Sequence, residues 1–314
     1  MLRLVATGGT IASKVQPDGG VAVALDGRAL LATVDGIDAG DVEIVDLFQG
    51  PSWNLSLDAV VAIATAARDN DADAVVVTHG TDTLEETAFV TDLLCASVDR
   101  PVVVTGSMRN AGQPDGDGPR NLRDAFTVAH DPRSSAYGTV VVLDGTIHAA
   151  RWVTKTDTQS VHTFASPSGH ALGHVDGGRV TFSGAPPPRV QARCVERAPV
   201  AIVPSHGDVD PALVDWHLER GVEGIVLEGS GAGNVHAALV PGVERAIGRG
   251  VPVVVVSRCA TGAVAPVYGG PGGGHGLAAL GVIAGGALDA RRARLALALA
   301  PDDRLRDWFA ALVG

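Results

Sequence analysis

The sequence predicts an α/β protein of two domains, a larger one in front and a smaller one behind, each built on a mostly parallel sheet. Three observations predict it. Short β-rich runs alternate with longer helical patterns in both halves, as parallel strands joined by helical crossovers require. The alternation is interrupted at Gly184-Ala185-Pro186-Pro187-Pro188 and then restarts. A chain of 314 residues is also long enough to bury more than one core.

In the first half, residues 2–6, 42–47, 74–78, 101–105 and 139–143 read as strands. Residues 57–68, rich in Ala and Leu, read as a helix, and so do residues 83–96. For the second helix Asp82 or Thr83 can serve as cap, with Glu85 and Glu86 three residues on in capping-box register. A third helix is expected to start near Pro119, since proline suits a first turn.

After Ala149 the pattern becomes hairpin-like through 179–182. Consecutive prolines cannot join a helix or a sheet ladder, so residues 184–195 are expected to be a stiff connector between domains at 1–183 and 196–314. Beyond it, strands are expected at 200–203, 224–227 and 251–256, with helices near 288–298 and 302–312. A glycine-rich tract occupies 269–276.

Hydrophobic residues make up 46% and charged ones 19%, a composition that folds. The formal net charge of -11 disfavours a broad grip on nucleic-acid phosphates. Cys95, Cys194 and Cys259 are odd in number and form no C-x-x-C pair, which fits a reducing compartment. Met1 runs straight into the first strand without room for an export signal, and no apolar run approaches the roughly 20 residues of a membrane span. A cytoplasmic protein without a membrane partner is expected.

Candidate chemistry collects at strand ends, where open parallel sheets bind their ligands. The first strand ends in Ala6-Thr7-Gly8-Gly9-Thr10-Ile11-Ala12, whose glycines allow close backbone approach and can aim N–H groups at a developing negative charge. An ordinary strand-to-helix turn is the alternative. Polar groups crowd the end of another strand in Val75-Val76-Val77-Thr78-His79-Gly80-Thr81-Asp82-Thr83. Thr83 is best explained as a helix cap, whereas Thr81 and Asp82 have no equally good structural role. Val153-Thr154-Lys155-Thr156-Asp157-Thr158 sets a lysine among threonines in a lysine-poor chain. Most lysines are solvated surface charges, but one held beside a hydroxyl can serve as its base.

Other constellations fail. Asn234 stands where Gly229-Ser230-Gly231-Ala232-Gly233-Asn234 would need its last glycine for dinucleotide binding. No nucleophile elbow, phosphate loop or H-E-x-x-H occurs. His162, His170 and His174 lack zinc-type spacing, so neither a metal nor a cofactor is expected.

Taken in order, Ala6-Thr7-Gly8-Gly9-Thr10-Ile11-Ala12, then Val77-Thr78-His79-Gly80-Thr81-Asp82-Thr83-Leu84-Glu85-Glu86-Thr87, then Val153-Thr154-Lys155-Thr156 resemble the bacterial-type L-asparaginase family. That family also includes glutaminase-asparaginases and the asparaginase-like subunit of an archaeal tRNA amidotransferase. The resemblance spans nearly the whole chain. It implies a flavodoxin-like larger domain, a threonine amidohydrolase activity on asparagine, and a homotetramer or homodimer whose sites are shared between subunits.

The resemblance further implies that Thr10 is the nucleophile, that Thr81 and Lys155 form a proton-transfer pair, and that Asp82 binds the α-amino group of the substrate. Backbone N–H groups of the turns, with Gly9 and Gly80 among the binding positions, would hold the oxyanion. Ser52, in Gly50-Pro51-Ser52-Trp53-Asn54, resembles the serine that holds the substrate carboxylate, and Asn234 the asparagine reaching in from a neighbouring subunit. Two features depart from the pattern. Residues 13–20 contain no tyrosine, which many members use to hydrogen-bond the nucleophile, and after Ser257-Arg258-Cys259-Ala260-Thr261-Gly262 the glutamate of some members is missing. Tyr268 and His275 are the candidates to replace that glutamate. The alternatives to an asparaginase are therefore a glutaminase-asparaginase, a hydrolase of another small amide, or a catalytically weak amino-acid-binding relative.

Overall fold

The computed structural model describes residues 1–192, 198–300 and 304–313. Cys194, the last part of the expected connector and the start of the expected helix at 302–312 lie outside the described residues. The chain divides into two compact units, Met1–Gln191 and Ala192–Gly314.

The first unit is built on an eight-stranded sheet: β1 (Leu2–Gly8), β2 (Val42–Gly50), β3 (Ala74–Thr78), β4 (Val102–Thr105), β5 (Thr139–Leu143), β6 (Thr146–Ala149), β7 (Ala171–Asp176) and β8 (Arg179–Phe182). Across the sheet the order is β8-β7-β6-β5-β4-β3-β1-β2. The pairs from β2 through β1, β3 and β4 to β5 are parallel, which is the flavodoxin-like order 2-1-3-4-5. β6, β7 and β8 extend the sheet antiparallel.

The central strands are apolar throughout because both faces are covered. Side chains alternate along a strand, so Val75 and Val77 of β3 pack to one face with Val5, Val102 and Val104. There they meet Ile63 and Ala67 of α1 (Leu57–Arg68) and Leu84 and Ala88 of α2 (Leu84–Leu94). Val76 packs to the other face with Leu4, Val103 and Val142, against Leu122, Ala125 and Phe126 of α3 (Gly118–His130). Ser56 caps α1 by accepting from the Ala59 N–H at 3.3 Å, and Pro119 stands in the first turn of α3 as expected.

The start of α2 departs from the sequence reading. Thr83 occupies its N-cap position but makes no side-chain cap bond. Its hydroxyl donates instead to the Ser52 carbonyl at 2.9 Å, and Glu85 turns inward to a distant backbone. The Thr83 hydroxyl therefore does not close the expected capping box, because its tertiary partner outcompetes the helix end. A further departure follows Thr10, where residues 13–20 are partly a small antiparallel hairpin, Ser13–Val15 with Val21–Val23.

The second unit carries a four-stranded parallel sheet in sequence order, β9 (Val200–Pro204), β10 (Gly224–Gly229), β11 (Val253–Ser257) and β12 (Ile283–Ala284). Val203, Ile225, Leu227, Val253 and Val255 form its core with Val214 and Leu218 of α4 (Leu213–Leu218) and Val243 and Ala246 of α5 (Val240–Gly248). α6 (Gly274–Leu280), α7 (Ala290–Ala298) and α8 (Leu305–Val313) complete it. Among the described residues no helix is long and apolar enough to cross a membrane.

Strand order locates the ligand crevice. In the first unit the chain leaves β1 toward β2 on one side, and β3 toward β4 on the other, so the carboxyl ends of β1 and β3 flank the reversal. Thr10 follows β1 and Thr81 follows β3. The sheet of the second unit has no such reversal.

Candidate active site

β1 and β3 lie side by side, Ala6 opposite Thr78, so the turns that follow them must pack against each other. Their contact is backbone to backbone. Gly9 has φ of 80°, a conformation L side chains resist, and a Cβ there would lie 2.3 Å from the Gly80 Cα. A Cβ on Gly80 would in turn lie 2.7 Å from the Ser52 Oγ. Gly9, Gly80 and Ser52 thus form one contiguous wall that only glycines in the first two positions allow.

Hydrogen bonds hold this wall. The Gly9 N–H donates to the Gly50 carbonyl at 3.1 Å, and the Ser13 hydroxyl donates to the Gly9 carbonyl at 2.8 Å. Ser52 is buried, and its carbonyl accepts from both the Thr83 hydroxyl and, at 3.1 Å, the Leu55 N–H. Trp53 beside it is 66% exposed and takes no part in the wall.

Thr10 opens a short 3-10 turn, Thr10–Ala12, and is half-buried. Among the described residues its hydroxyl has no hydrogen-bond partner. The hairpin behind it brings no tyrosine, and its cross-strand pair Val15 and Val21 is exposed.

Thr81, Asp82 and Lys155 come together across more than seventy residues of sequence. The Lys155 ammonium donates to the Thr81 Oγ1 at 2.9 Å and to the Asp82 Oδ1 at 2.7 Å. Thr81 is buried, and the Lys155 side chain is only 17% exposed while that of Asp82 is 48% exposed. The lysine is therefore not the solvated surface charge that base rates favour; it is folded onto a hydroxyl and a carboxylate.

Two neighbours of this group escaped the sequence reading. Glu85, 2% exposed in the first turn of α2, accepts from the Lys155 N–H at 2.6 Å. His79 is fully buried, with Nδ1 donating to the Gly80 carbonyl at 2.8 Å and Nε2 accepting from the Thr87 hydroxyl at 2.9 Å. Burial disfavours the imidazolium and takes its pKa down to about 4, so the ring is neutral and pins the Gly80 turn to α2. For Glu85 the visible signal was capping-box register, which pointed to a local partner, and for His79 only its place beside an apolar run.

Asn234 belongs to the second unit, where its Oδ1 accepts from the Gly274 N–H at 3.1 Å at the start of α6. Tyr268, 60% exposed, immediately precedes the glycine-rich segment of the same unit, and His275, also exposed, lies within it.

Comparison with known proteins identifies the family. Residues 1–188 match the family described as Asparaginase, N-terminal, and residues 199–306 match the Glutaminase/Asparaginase C-terminal domain. The chain is 35% identical to an L-asparaginase of Bacillus licheniformis over 304 residues, covering 95% of this chain and 94% of that one. It is 38% identical to a probable L-asparaginase of Deinococcus radiodurans, covering 94% and 91%. A crystal structure of a probable cytoplasmic L-asparaginase from Campylobacter jejuni superposes with a TM-score of 0.85 at 28% identity, covering 98% of each chain. With both family domains matched in order and relatives similar over almost their whole length, this chain belongs to the asparaginase family.

Proposed function

We propose that this chain is an L-asparaginase that hydrolyses asparagine to aspartate and ammonia. The observation that carries the reading is the Lys155 ammonium held 2.9 Å from the Thr81 hydroxyl and 2.7 Å from the Asp82 carboxylate, beside the turn that bears Thr10. The names of the relatives support the substrate. In this reading the Thr10 Oγ1 attacks the side-chain amide carbon, and backbone N–H groups near Gly9 and Gly80 hold the oxyanion, each such donor worth roughly 3 kcal/mol in comparable hydrolases. With Lys155 as the free amine, Thr81 passes its hydroxyl proton to Nζ as it receives that of Thr10, and the ammonium so formed returns a proton through Thr81 to the departing amine, which leaves as ammonia. Water then cleaves the acyl-threonine through the same pair and releases aspartate.

Asp82 spends Oδ1 on Lys155, which leaves Oδ2 for the α-amino group of the substrate. Ser52 holds the α-carboxylate. We further propose a cytoplasmic homotetramer or homodimer in which Asn234 serves a neighbour's site, and a connector at 184–195 between domains at 1–183 and 196–314. Ammonia release from asparagine and from glutamine at matched concentration tests the assignment; turnover of asparagine is expected to exceed that of glutamine, and release from neither would reject it. The Thr10 hydroxyl, without a partner among the described residues, favours a second reading, an amino-acid-binding relative with weak catalysis. Tight aspartate binding by calorimetry with no turnover would select it.

A further inference from the structure

Lys155 is gripped from both ends by one short stretch of chain. Its ammonium meets Thr81 and Asp82, and its backbone N–H meets Glu85 at 2.6 Å, all within one turn leading into α2. On its other flank Lys155 pairs with Phe164 in a two-residue hairpin, Thr154–Lys155 with Phe164–Ala165, too short to fix a position by itself. The bonds from Thr156 and Asp157 to Thr163 close the loop but do not reach Thr81.

Glu85 is placed for such a duty. It is 2% exposed, and a carboxylate that dry is retained only where donors meet it. It stands in the first turn of α2, where unpaired N–H groups and the helix dipole favour an anion. Glu85 is also rigid relative to Thr81, because α2 packs Leu84 and Ala88 into the core directly beneath the turn. A displacement of the Lys155 backbone by an ångström would move Nζ out of hydrogen-bond range of Thr81, and proton transfer needs that range.

We propose that Glu85 is the positioning residue of the site, its buried carboxylate anchoring the Lys155 backbone so that Nζ is held on the Thr81 hydroxyl. The inference rests on the reading of Thr81 and Lys155 as a proton-transfer pair. Glu85 itself does not touch substrate.

The composition provides a direct probe. The chain contains only two lysines, Lys14 and Lys155, and Lys14 is exposed. Protein made with 13Cε-labelled lysine therefore gives two side-chain signals. In the wild type one of them is expected to show two inequivalent Hε protons, the mark of an immobilised side chain, and Lys155→Met assigns it by its loss. Glu85→Leu is expected to collapse that signal to the averaged position of a free lysine, and Glu85→Gln, which keeps an acceptor oxygen, to retain it. In asparagine hydrolysis Glu85→Leu is expected to lower kcat at least about 30-fold with KM within about threefold, and Glu85→Gln to recover at least about tenfold of the loss. Circular dichroism and Tm identify any variant that fails to fold, and Glu85→Ala then replaces Glu85→Leu. An unchanged Lys155 signal in a folded Glu85→Leu or Glu85→Ala variant overturns the proposal, as does equal loss in the Leu and Gln variants. Absence of amide hydrolysis in the wild type would instead reject the asparaginase reading, and the lysine signal would still decide the role of Glu85.

Discussion

Gly9 and Gly80 meet backbone to backbone: a Cβ on Gly9 would lie 2.3 Å from the Gly80 Cα and 2.4 Å from its nitrogen. This contact joins the turn after β1 to the turn after β3, and the candidate chemistry sits on either side of it. Gly9→Ala must force a methyl into rigid backbone at a φ of 80°. A strained φ and an overpacked contact each cost about 1–3 kcal/mol, so a loss of at least about 2 kcal/mol is expected in denaturant unfolding. The same substitution at Gly36, where a Cβ meets nothing within 4 Å, is expected to cost less because only the backbone term remains.

Lys155 supplies the second prediction. Lys155→Met keeps most of the side-chain volume and removes the amine from Thr81, so kcat for asparagine is expected to fall about 10²- to 10⁴-fold, the usual range for loss of a proton-transfer group. Lys155→Arg is not expected to restore it, since guanidinium stays charged and its planar fork fits the Thr81–Asp82 pair poorly. Steady-state kinetics with a thermal-melt control would check both.

Thr83 was the natural cap for α2 and is instead a strut under Ser52. In Thr83→Val the Ser52 carbonyl still accepts from the Leu55 N–H, so it is not orphaned and the expected stability loss is only about 1 kcal/mol. Because Ser52 is proposed to hold the substrate carboxylate, KM for asparagine is expected to rise several-fold while kcat moves less. Progress curves over a range of asparagine concentrations separate the two constants.

Two buried histidines set a pH dependence of stability. Burial lowers the pKa of His79 and of His148 to about 4. Unfolded, both take up protons below about pH 6.5, while the folded state does not until about pH 4. The unfolded chain therefore binds more protons in that window, and stability falls as the pH drops from 6.5 toward 4. Each group contributes on the order of 3 kcal/mol to the loss. Unfolding free energies measured by urea from pH 7 to 4 should show this slope, and His148→Asn, which removes one titrating ring, should make it shallower.

How much of this could be read from the sequence depends on the range of the interaction. Val75-Val76-Val77 identified a doubly covered strand because three consecutive apolar residues suit no half-exposed one. Helix α1 was legible to its ends, since a run rich in Ala and Leu is a local signal. The turns bearing Thr10 and Thr81 were legible as strand ends, whereas the pairing of those two strands, which brings the turns together, was not read from the sequence. What failed was the choice between local and distant partners. Thr83 and Glu85 look like a helix start, yet their partners, Ser52 and Lys155, lie 31 and 70 residues away. The hairpin at Ser13–Val15 and Val21–Val23 was missed for another reason: arms of three residues are too short to display a strand period.

The central claim is that Thr10 attacks the amide, and ammonia release from asparagine by the wild type and by Thr10→Ala tests it most directly. Thr10 is half-buried and its hydroxyl holds no partner among the described residues, so the variant should fold and retain aspartate binding. The expected result is turnover by the wild type and a loss of at least about 10³-fold in Thr10→Ala, in line with removal of a covalent nucleophile. A Thr10→Ala protein that releases ammonia at the wild-type rate would contradict the account.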